Sequence, residues 1–317
     1  MSASAPTSPS PQALLLRLEW TILKRLDGLL HGNYRTLFRG VGLDLADLRE
    51  YQFNDDVRHI DWNVTARLQV PHVREFLEER EVTAWFLLDL SPSVDFGSQE
   101  KKKRTVSAEL VGTLAHMLGR YGNRVGALFY GGQLDTVIPA GRGRAQTLEI
   151  LDRMLRRPEA ASAPATDLAQ FLRDALQVMK RRSVVFVVSD FISSPGWEEP
   201  LAQLAHRHDV LAVRLYDPME MELPDLGLFT LQDAETGEQM FVDTHDKAFR
   251  RRFAKAAEER EEALREAFAA AGVDALELST DDDLVATLMR FVDMRKLRSR
   301  MTAGATGSLP RHLEGKT

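Results

Sequence analysis

The sequence predicts an α/β fold in which helices cover both faces of a doubly wound, mostly parallel β-sheet that has one antiparallel edge strand. From Val82 onward, short apolar runs alternate with amphipathic helical patterns, as they do in sheets whose strands are buried on both faces. The runs RVGALFY and QLDTVIP flank Gly131-Gly132, which predicts a two-residue β-hairpin with a primed turn. That hairpin supplies the antiparallel strand.

The predicted elements follow in a regular order. Strands are expected at VTAWFLLDL, RVGALFY, QLDTVIP, SVVFVVSDF, DVLAVRLYD and VDALELS, and FTLQD with EQMFVD is expected to form a small hairpin. Helices are expected at about 103–121, 145–156, 167–180, 198–206, 248–271 and 281–292, and Gly272 closes the long one. Sheets of this kind bind ligands beyond the carboxyl ends of their strands, where the winding reverses. Site residues are therefore sought directly after strands.

Composition narrows the class of protein. The chain has 317 residues, 44% hydrophobic and 28% charged, with a net charge of −6, which fits one large α/β domain plus a smaller unit and disfavours a nucleic-acid binder. The absence of cysteine excludes disulfides, cysteine zinc sites and thiol catalysis. No apolar run reaches the roughly 18 residues of a membrane span, and no secretory signal is recognisable. We therefore expect a cytoplasmic protein.

Four segments are predicted along the chain. Residues 1–12 read as a disordered lead-in, 13–81 as a helix followed by a small irregular charged subdomain, 82–293 as the sheet domain and 294–317 as a loose basic tail. The helix ALLLRLEWTILKRLDGLL has leucines at three- and four-residue spacing, which is typical of a helix that packs on one face. Packing against the protein itself is the expected role, and contact of residues 13–30 with a membrane surface is the alternative.

Five oxygen-bearing residues follow predicted strands or precede a helix: Asp89, Ser91, Ser93, Thr166 and Asp190. Taken singly, each also fits an ordinary turn or helix-cap role. Small hard cations prefer oxygen ligands, and hydroxyl groups coordinate them without adding negative charge. The ordered set therefore predicts a divalent metal site for Mg²⁺, with Mn²⁺ or Ca²⁺ as alternatives.

This order of DxSxS, a loop threonine and a strand-ending aspartate resembles the metal-ion-dependent adhesion site of von Willebrand factor A domains. The resemblance implies that Ser91, Ser93 and Thr166 are direct ligands and that Asp89 and Asp190 act mainly through water. It also implies a fold of the von Willebrand factor A type.

A second concentrated feature is the charged block before the sheet, where acidic and basic residues alternate among aromatic side chains that are expected to anchor it. The residues assigned to structural or partner-facing roles are Arg49, Arg58, His59, Asp61 and Trp62. The segments LREY, DDVRHIDWN, TAR and VREFLEER, followed by LLDLSPS, RVGALFY and VVSDF, resemble the bacterial family called domain of unknown function 58, over about residues 40–191. Val94 departs from the methionine that is common there.

These observations favour a non-catalytic, metal-dependent protein-interaction module. The resemblance implies a MoxR-type AAA+ ATPase as partner, which would contribute an Asp or Glu to the metal. A metal-dependent phosphoester hydrolase that uses the same site is the alternative, and a structural role without metal is a third interpretation. The basic run Lys101–Arg104 is expected to be a solvated helix entry or a contact for an acidic partner.

Overall fold

The structure is a computed structural model that describes residues 10–26, 48–52, 69–74, 82–98, 101–158, 166–232 and 238–305, with a few single positions between 57 and 66. Its centre is a six-stranded sheet. The strands are β3 (Thr83–Asp89), β4 (Arg124–Tyr130), β5 (Leu134–Gly141), β6 (Val184–Ser189), β7 (Asp209–Tyr216) and β10 (Asp274–Ser279). They lie in the order β10-β7-β6-β3-β4-β5. All neighbours are parallel except β4 and β5, so the predicted α/β fold, with a mostly parallel sheet and one antiparallel edge strand, is confirmed.

Helices cover the sheet on both sides. They are α1 (Pro11–Leu18), α2 (Lys103–Arg120), α3 (Gly143–Arg156), α4 (Leu168–Val178), α5 (Glu198–Arg207), α6 (Lys247–Ala271) and α7 (Leu284–Ala305). Side chains of successive strand residues point to opposite faces. Phe86 and Leu88 of β3 accordingly join one buried cluster with α1, α2, α3 and α7, while Trp85 and Leu87 join a second cluster with α4, α5 and α6.

The first helix is part of the main core. Leu14, Leu15 and Leu18 are at most 2% exposed, and after a π-helical turn at Glu19–Leu23 the chain also buries Leu26. These leucines belong to the cluster that covers one face of the sheet. The apolar face of the helix therefore packs against the protein itself, as expected.

Two short antiparallel ladders stand outside the main sheet. β1 (Leu48–Glu50) pairs with β2 (His72–Arg74), and both belong to the charged block. β8 (Leu228–Gln232) pairs with β9 (Gln239–Asp243), which confirms the predicted small hairpin. Among the described residues, no helix is long and apolar enough to cross a membrane.

Two boundary predictions are wrong. Tyr130 pairs with Leu134, so three residues connect β4 to β5 instead of two, and Gly132 in this connection takes a positive φ of 95°, which glycine adopts without strain. The last helix continues to Ala305, well into the segment predicted as a loose tail. Arg295 holds this extension, because its guanidinium is 2.9 Å from Asp274 and stacks over the ring of Phe291. Composition alone does not reveal those tertiary contacts.

Candidate metal site

The DxSxS loop and Asp190 meet where the winding of the sheet reverses. From β3 the chain proceeds to β4 and β5 on one side, then returns to form β6 on the other side of β3. Helix α2, which follows β3, packs on one face, while α4 and α5, which flank β6, pack on the opposite face. The carboxyl ends of β3 and β6 therefore border the crevice where open α/β sheets bind ligands.

The DxSxS loop is held in a fixed shape by Asp89. One carboxylate oxygen of Asp89 accepts the Ser91 amide N–H at 3.0 Å, and the other accepts the Ser189 hydroxyl at 2.6 Å across to β6. The hydroxyl oxygens of Ser91 and Ser93 are then 3.1 Å apart. Pro92 begins a 3-10 turn at Pro92–Asp95, which directs both hydroxyls to the same side.

Asp190 is positioned by strained backbone that the sequence did not reveal. Phe191 has φ 57°, a conformation that is costly for a bulky residue. Its ring packs against Trp197 and Phe268, with centroids 5.3 and 4.9 Å away, and this packing holds the strained turn in place. The turn lets the Ile192 amide donate to Asp190 at 3.0 Å. Strain of this kind is commonly found at functional sites.

Thr166 lies beside the loop that follows Asp190. Its carbonyl oxygen accepts the Ser193 hydroxyl at 2.8 Å and the Ser194 amide at 2.9 Å. The neighbouring Asp167 amide donates to the Tyr130 hydroxyl at 2.8 Å, and the Tyr130 carbonyl accepts the Leu90 amide at 2.8 Å. These bonds tie Thr166 to both strand ends, and its side chain is buried.

The site also contains a lysine that the sequence pattern predicted to be exposed to solvent. Lys103, in the basic run 101–104, is 0% exposed, and its Nζ is 2.8 Å from Asp190 Oδ2 and 2.7 Å from Glu220 Oε1. Arg104 is also mostly buried, between Asp95 and the carbonyl of Met154. The interpretation of the run as a solvated helix entry is therefore wrong for these two residues. Cations at a helix N-terminus oppose the helix dipole, which was the available signal that acidic groups compensate them.

The two aspartates of the site have opposite pKa shifts. Burial, reinforced by the negative charge of Asp190, raises the pKa of Asp89 to about 6. Burial also opposes ionisation of Asp190, but the Lys103 ammonium and the hydrogen bonds that Asp190 accepts together outweigh that effect and lower the pKa of Asp190. The Ser93 hydroxyl hydrogen-bonds to Asp190 and acts in the same direction. The protein thus keeps Asp190 charged and makes Asp89 the easier group to neutralise.

The donor set fits a small hard cation. Neighbouring ligands at right angles around Mg²⁺, each about 2.0–2.1 Å away, are about 2.8–3.0 Å apart, close to the 3.1 Å between the Ser91 and Ser93 hydroxyls. Both aspartates use their oxygens in hydrogen bonds, so water-mediated contact suits them better than direct ligation. Among the described residues no group of three or more His, Cys, Asp or Glu side chains is placed to hold a metal. A cation here would depend on hydroxyl oxygens.

Most of the charged-block residues assigned to structural or partner-facing roles lie outside the described part of the chain. Arg58, His59 and Asp61 lie outside the described residues, and Arg49 is described only as backbone in β1. Trp62 is 69% exposed. Its partner-facing role remains a prediction.

Comparison with known proteins gives a family and several relatives. A family model with the description "Protein of unknown function DUF58" matches residues 47–263. A protein of Mycobacterium tuberculosis described as uncharacterized is 37% identical over 288 residues, which cover 91% of this chain and 90% of that protein. A protein of Mycobacterium bovis, also described as uncharacterized, has the same identity and coverage.

Two solved structures are distantly similar. The conserved hypothetical protein BatB from Bacteroides thetaiotaomicron is 15% identical with a TM-score of 0.43, covering 70% of this chain and 99% of that chain. The SpRpn10 VWA domain is 12% identical with a TM-score of 0.35, covering 66% of this chain and 94% of that chain. These likenesses are distant, and they say nothing about the chemistry of the site.

Proposed function

The chain belongs to the family described as protein of unknown function DUF58, and on that premise we propose that it is a protein-interaction module whose site uses a divalent cation, Mg²⁺ first, to bind a carboxylate of a partner protein. The observation that carries the proposal is the placement of the Ser91 and Ser93 hydroxyls beside Asp190 at the reversal point of the sheet. When bound, the cation would supply an electrophilic position for that carboxylate.

The residues of the site would have three different roles. Ser91, Ser93 and Thr166 would offer neutral oxygen ligands, which leave the charge of a divalent cation largely uncompensated. Asp89 orients the loop through its bonds to the Ser91 amide and the Ser189 hydroxyl. Asp190 supplies a buried negative charge. An arrangement with few anionic ligands favours an additional carboxylate from outside over a closed structural site.

The partner would approach along an accessible rim. The five site residues are at most 6% exposed, whereas Phe96 after the DxSxS loop is 39% exposed and Ser194 after Asp190 is also exposed. A protruding Asp or Glu reaches into such a crevice while its neighbours contact the rim. A MoxR-type AAA+ ATPase, which the family resemblance implies, is the first partner to test.

The first experiment measures metal binding. Isothermal titration with Mg²⁺ and Mn²⁺ would compare the full chain with Ser91→Ala/Ser93→Ala, and we expect the double variant to lose most of its affinity while keeping its fold. Ser183→Ala is the matched control, because this buried serine lies at the amino end of β6 and its hydroxyl donates to the Arg181 carbonyl at 2.8 Å. Equal affinities in all three proteins would contradict the ligand assignment.

The second experiment tests association. Capture of the purified ATPase should require Mg²⁺, fail with chelator and fail with Ser91→Ala/Ser93→Ala. Phe96→Asp should weaken capture while metal affinity is unchanged, because Phe96 belongs to the rim and not to the ligand set. If the amount of ATPase captured is the same with chelator and with the serine variant as with Mg²⁺ and wild type, metal-mediated binding is refuted. Metal-dependent turnover of a phosphoester, lost in the serine variant, would instead favour the hydrolase.

A further inference from the structure

The metal site contains a buried cation of its own. Lys103 is the first residue of α2, its side chain is 0% exposed, and its ammonium lies between Asp190 Oδ2 at 2.8 Å and Glu220 Oε1 at 2.7 Å. Asp190 is itself 1% exposed, and the Glu220 side chain is 17% exposed. The carboxylate that would hold the metal through water is thus already paired with a positive charge that solvent does not reach.

This arrangement is costly unless every charge has a partner. A buried ammonium loses its hydration, and so does a buried carboxylate, so neither is stable alone. Lys103 also stands at a helix N-terminus, where a positive charge is disfavoured. Asp190 offsets both costs, and Glu220 gives the ammonium a second anchor.

Glu220 is itself fixed in place. It belongs to the 3-10 turn Pro218–Glu220, and its carboxylate also accepts the Asp217 amide at 3.1 Å in a capping box. Asp217 in turn accepts the Ser98 hydroxyl at 2.6 Å and the Thr280 hydroxyl at 2.8 Å. The second anchor of the ammonium is therefore connected to the carboxyl ends of β7 and β10, and through Ser98 to the segment that follows the DxSxS loop.

We propose that Lys103 is an internal counter-ion that competes with the divalent cation for Asp190, with Glu220 as the partner that the ammonium keeps when the metal binds. This rests on the proposed function, since it concerns the same site. In the metal-free protein Lys103 neutralises Asp190 and keeps this edge of the sheet folded. With metal present it limits affinity, because two cations share one buried carboxylate.

Three variants test the proposal. Lys103→Met removes the charge and keeps a similar volume, Glu220→Gln removes the second anchor, and Lys101→Met is the matched control. Lys101 has a 42% exposed side chain and pairs with Glu109, away from Asp190. Isothermal titration with Mn²⁺ and thermal unfolding with and without chelator would be measured on the full chain of each.

The variants should differ in opposite directions. Lys103→Met should bind Mn²⁺ about tenfold more tightly than wild type or better, because like-charge repulsion is lost in a poorly hydrated site. Its melting temperature in chelator should fall clearly below that of wild type, and Mn²⁺ should raise it by more than it raises the melting temperature of wild type, because stabilisation by a bound ligand grows with affinity. Glu220→Gln should bind Mn²⁺ several-fold more weakly, because Asp190 becomes the main partner of the ammonium. Lys101→Met should match wild type in both measurements.

The outcomes separate the two proposals. Wild type and Lys103→Met binding Mn²⁺ equally well would overturn the role of Lys103 and leave the metal site intact. No binding by wild type, with binding gained in Lys103→Met, would contradict the proposed function and support the role of Lys103. No binding by either would overturn both. If Lys103→Met does not fold even with Mn²⁺, Glu220→Gln decides, and affinity equal to or above wild type would overturn the proposal.

Discussion

Docking of the first helix onto the sheet domain can be tested with one pair of leucines. Leu18 is 1% exposed and sits against Gly112 of α2, where a Cβ on Gly112 would come within 2.8 Å of Leu18 Cδ1. Leu16, two residues earlier in the same helix, is 52% exposed. The substitutions Leu18→Ala and Leu16→Ala remove the same three carbon atoms from the same helix, so they differ only in what those atoms contact.

The magnitude follows from burial. Three buried carbon atoms contribute about 2.4 kcal/mol at about 0.8 kcal/mol each, and an unfilled cavity raises a leucine-to-alanine cost to about 2–5 kcal/mol. A helix near the start of the chain can shift to fill part of the space, so Leu18→Ala should lower the free energy of unfolding by about 2–3 kcal/mol. Leu16→Ala should stay within about 0.5 kcal/mol of wild type.

Urea unfolding followed by circular dichroism would measure both variants, and flotation with anionic vesicles would test the membrane alternative. If Leu18→Ala and Leu16→Ala are equally stable, the helix is not docked and the reasoning is refuted. Loss of vesicle binding in Leu18→Ala, without loss of stability, would show that the leucines face a membrane instead.

Three further predictions concern residues away from the site. His208 is 3% exposed, neither of its ring nitrogens has a hydrogen-bond partner among the described residues, and burial, aided by the charge of Arg207, lowers its pKa. The unfolded chain therefore takes up this proton first, and the contribution of His208 to stability should fall as pH drops below the ordinary value of 6.5, by up to about 1.4 kcal/mol per pH unit. Asp89, whose pKa is raised to about 6, acts in the opposite direction in wild type and variant alike. The stability of His208→Leu relative to wild type should therefore rise as pH falls from 7.5 to 5 in urea titrations, and a difference that does not depend on pH would contradict the assignment. Arg214 and Glu261 form an ion pair with side chains 4% and 5% exposed, so Arg214→Met should cost about 3–5 kcal/mol and the double variant with Glu261→Met should recover much of it. A loss in the double variant equal to the sum of the two single losses would show that the charges are not coupled. Gly272 ends α6 at φ 67°, and no neighbouring atom lies within 4 Å of the position that an added Cβ would take. Gly272→Ala should therefore cost about 1–2 kcal/mol from backbone conformation alone. Urea unfolding of Gly272→Ala and Gly272→Asn would check this, and equal stability of the alanine variant and wild type would disprove it.

Local patterns predicted most of the fold because strand and helix periodicity are properties of neighbouring residues. The run TAWFLLD is apolar enough to be buried on both faces of a sheet, and Gly272 marks the end of α6. The alternation of these elements then implies parallel pairing and right-handed crossovers. The errors were at boundaries, such as the extra residue after Gly132 and the extension of α7, because contacts made elsewhere in the molecule decide those positions.

The candidate site was predicted by position and chemistry. Asp89, Ser91, Ser93, Thr166 and Asp190 each stand beside the end of an element, and the carboxyl ends of parallel strands share one edge of the sheet. The structure places four of them in a connected set and ties the backbone of Thr166 to the same loops. Their metal-binding role remains a prediction that the titrations above address.

The tertiary structure alone decided the charge balance of that site. Lys103 reads in the sequence as one of four adjacent basic residues, and Glu220 lies 117 positions away. Nothing local distinguishes Lys103 from Lys101, yet one is 0% exposed between two carboxylates and the other has a 42% exposed side chain. The strain at Phe191 likewise depends on packing against Trp197 and Phe268. Sequence determines which groups stand at strand ends, whereas burial and pairing of charge depend on which distant elements cover them, and only the folded chain specifies that.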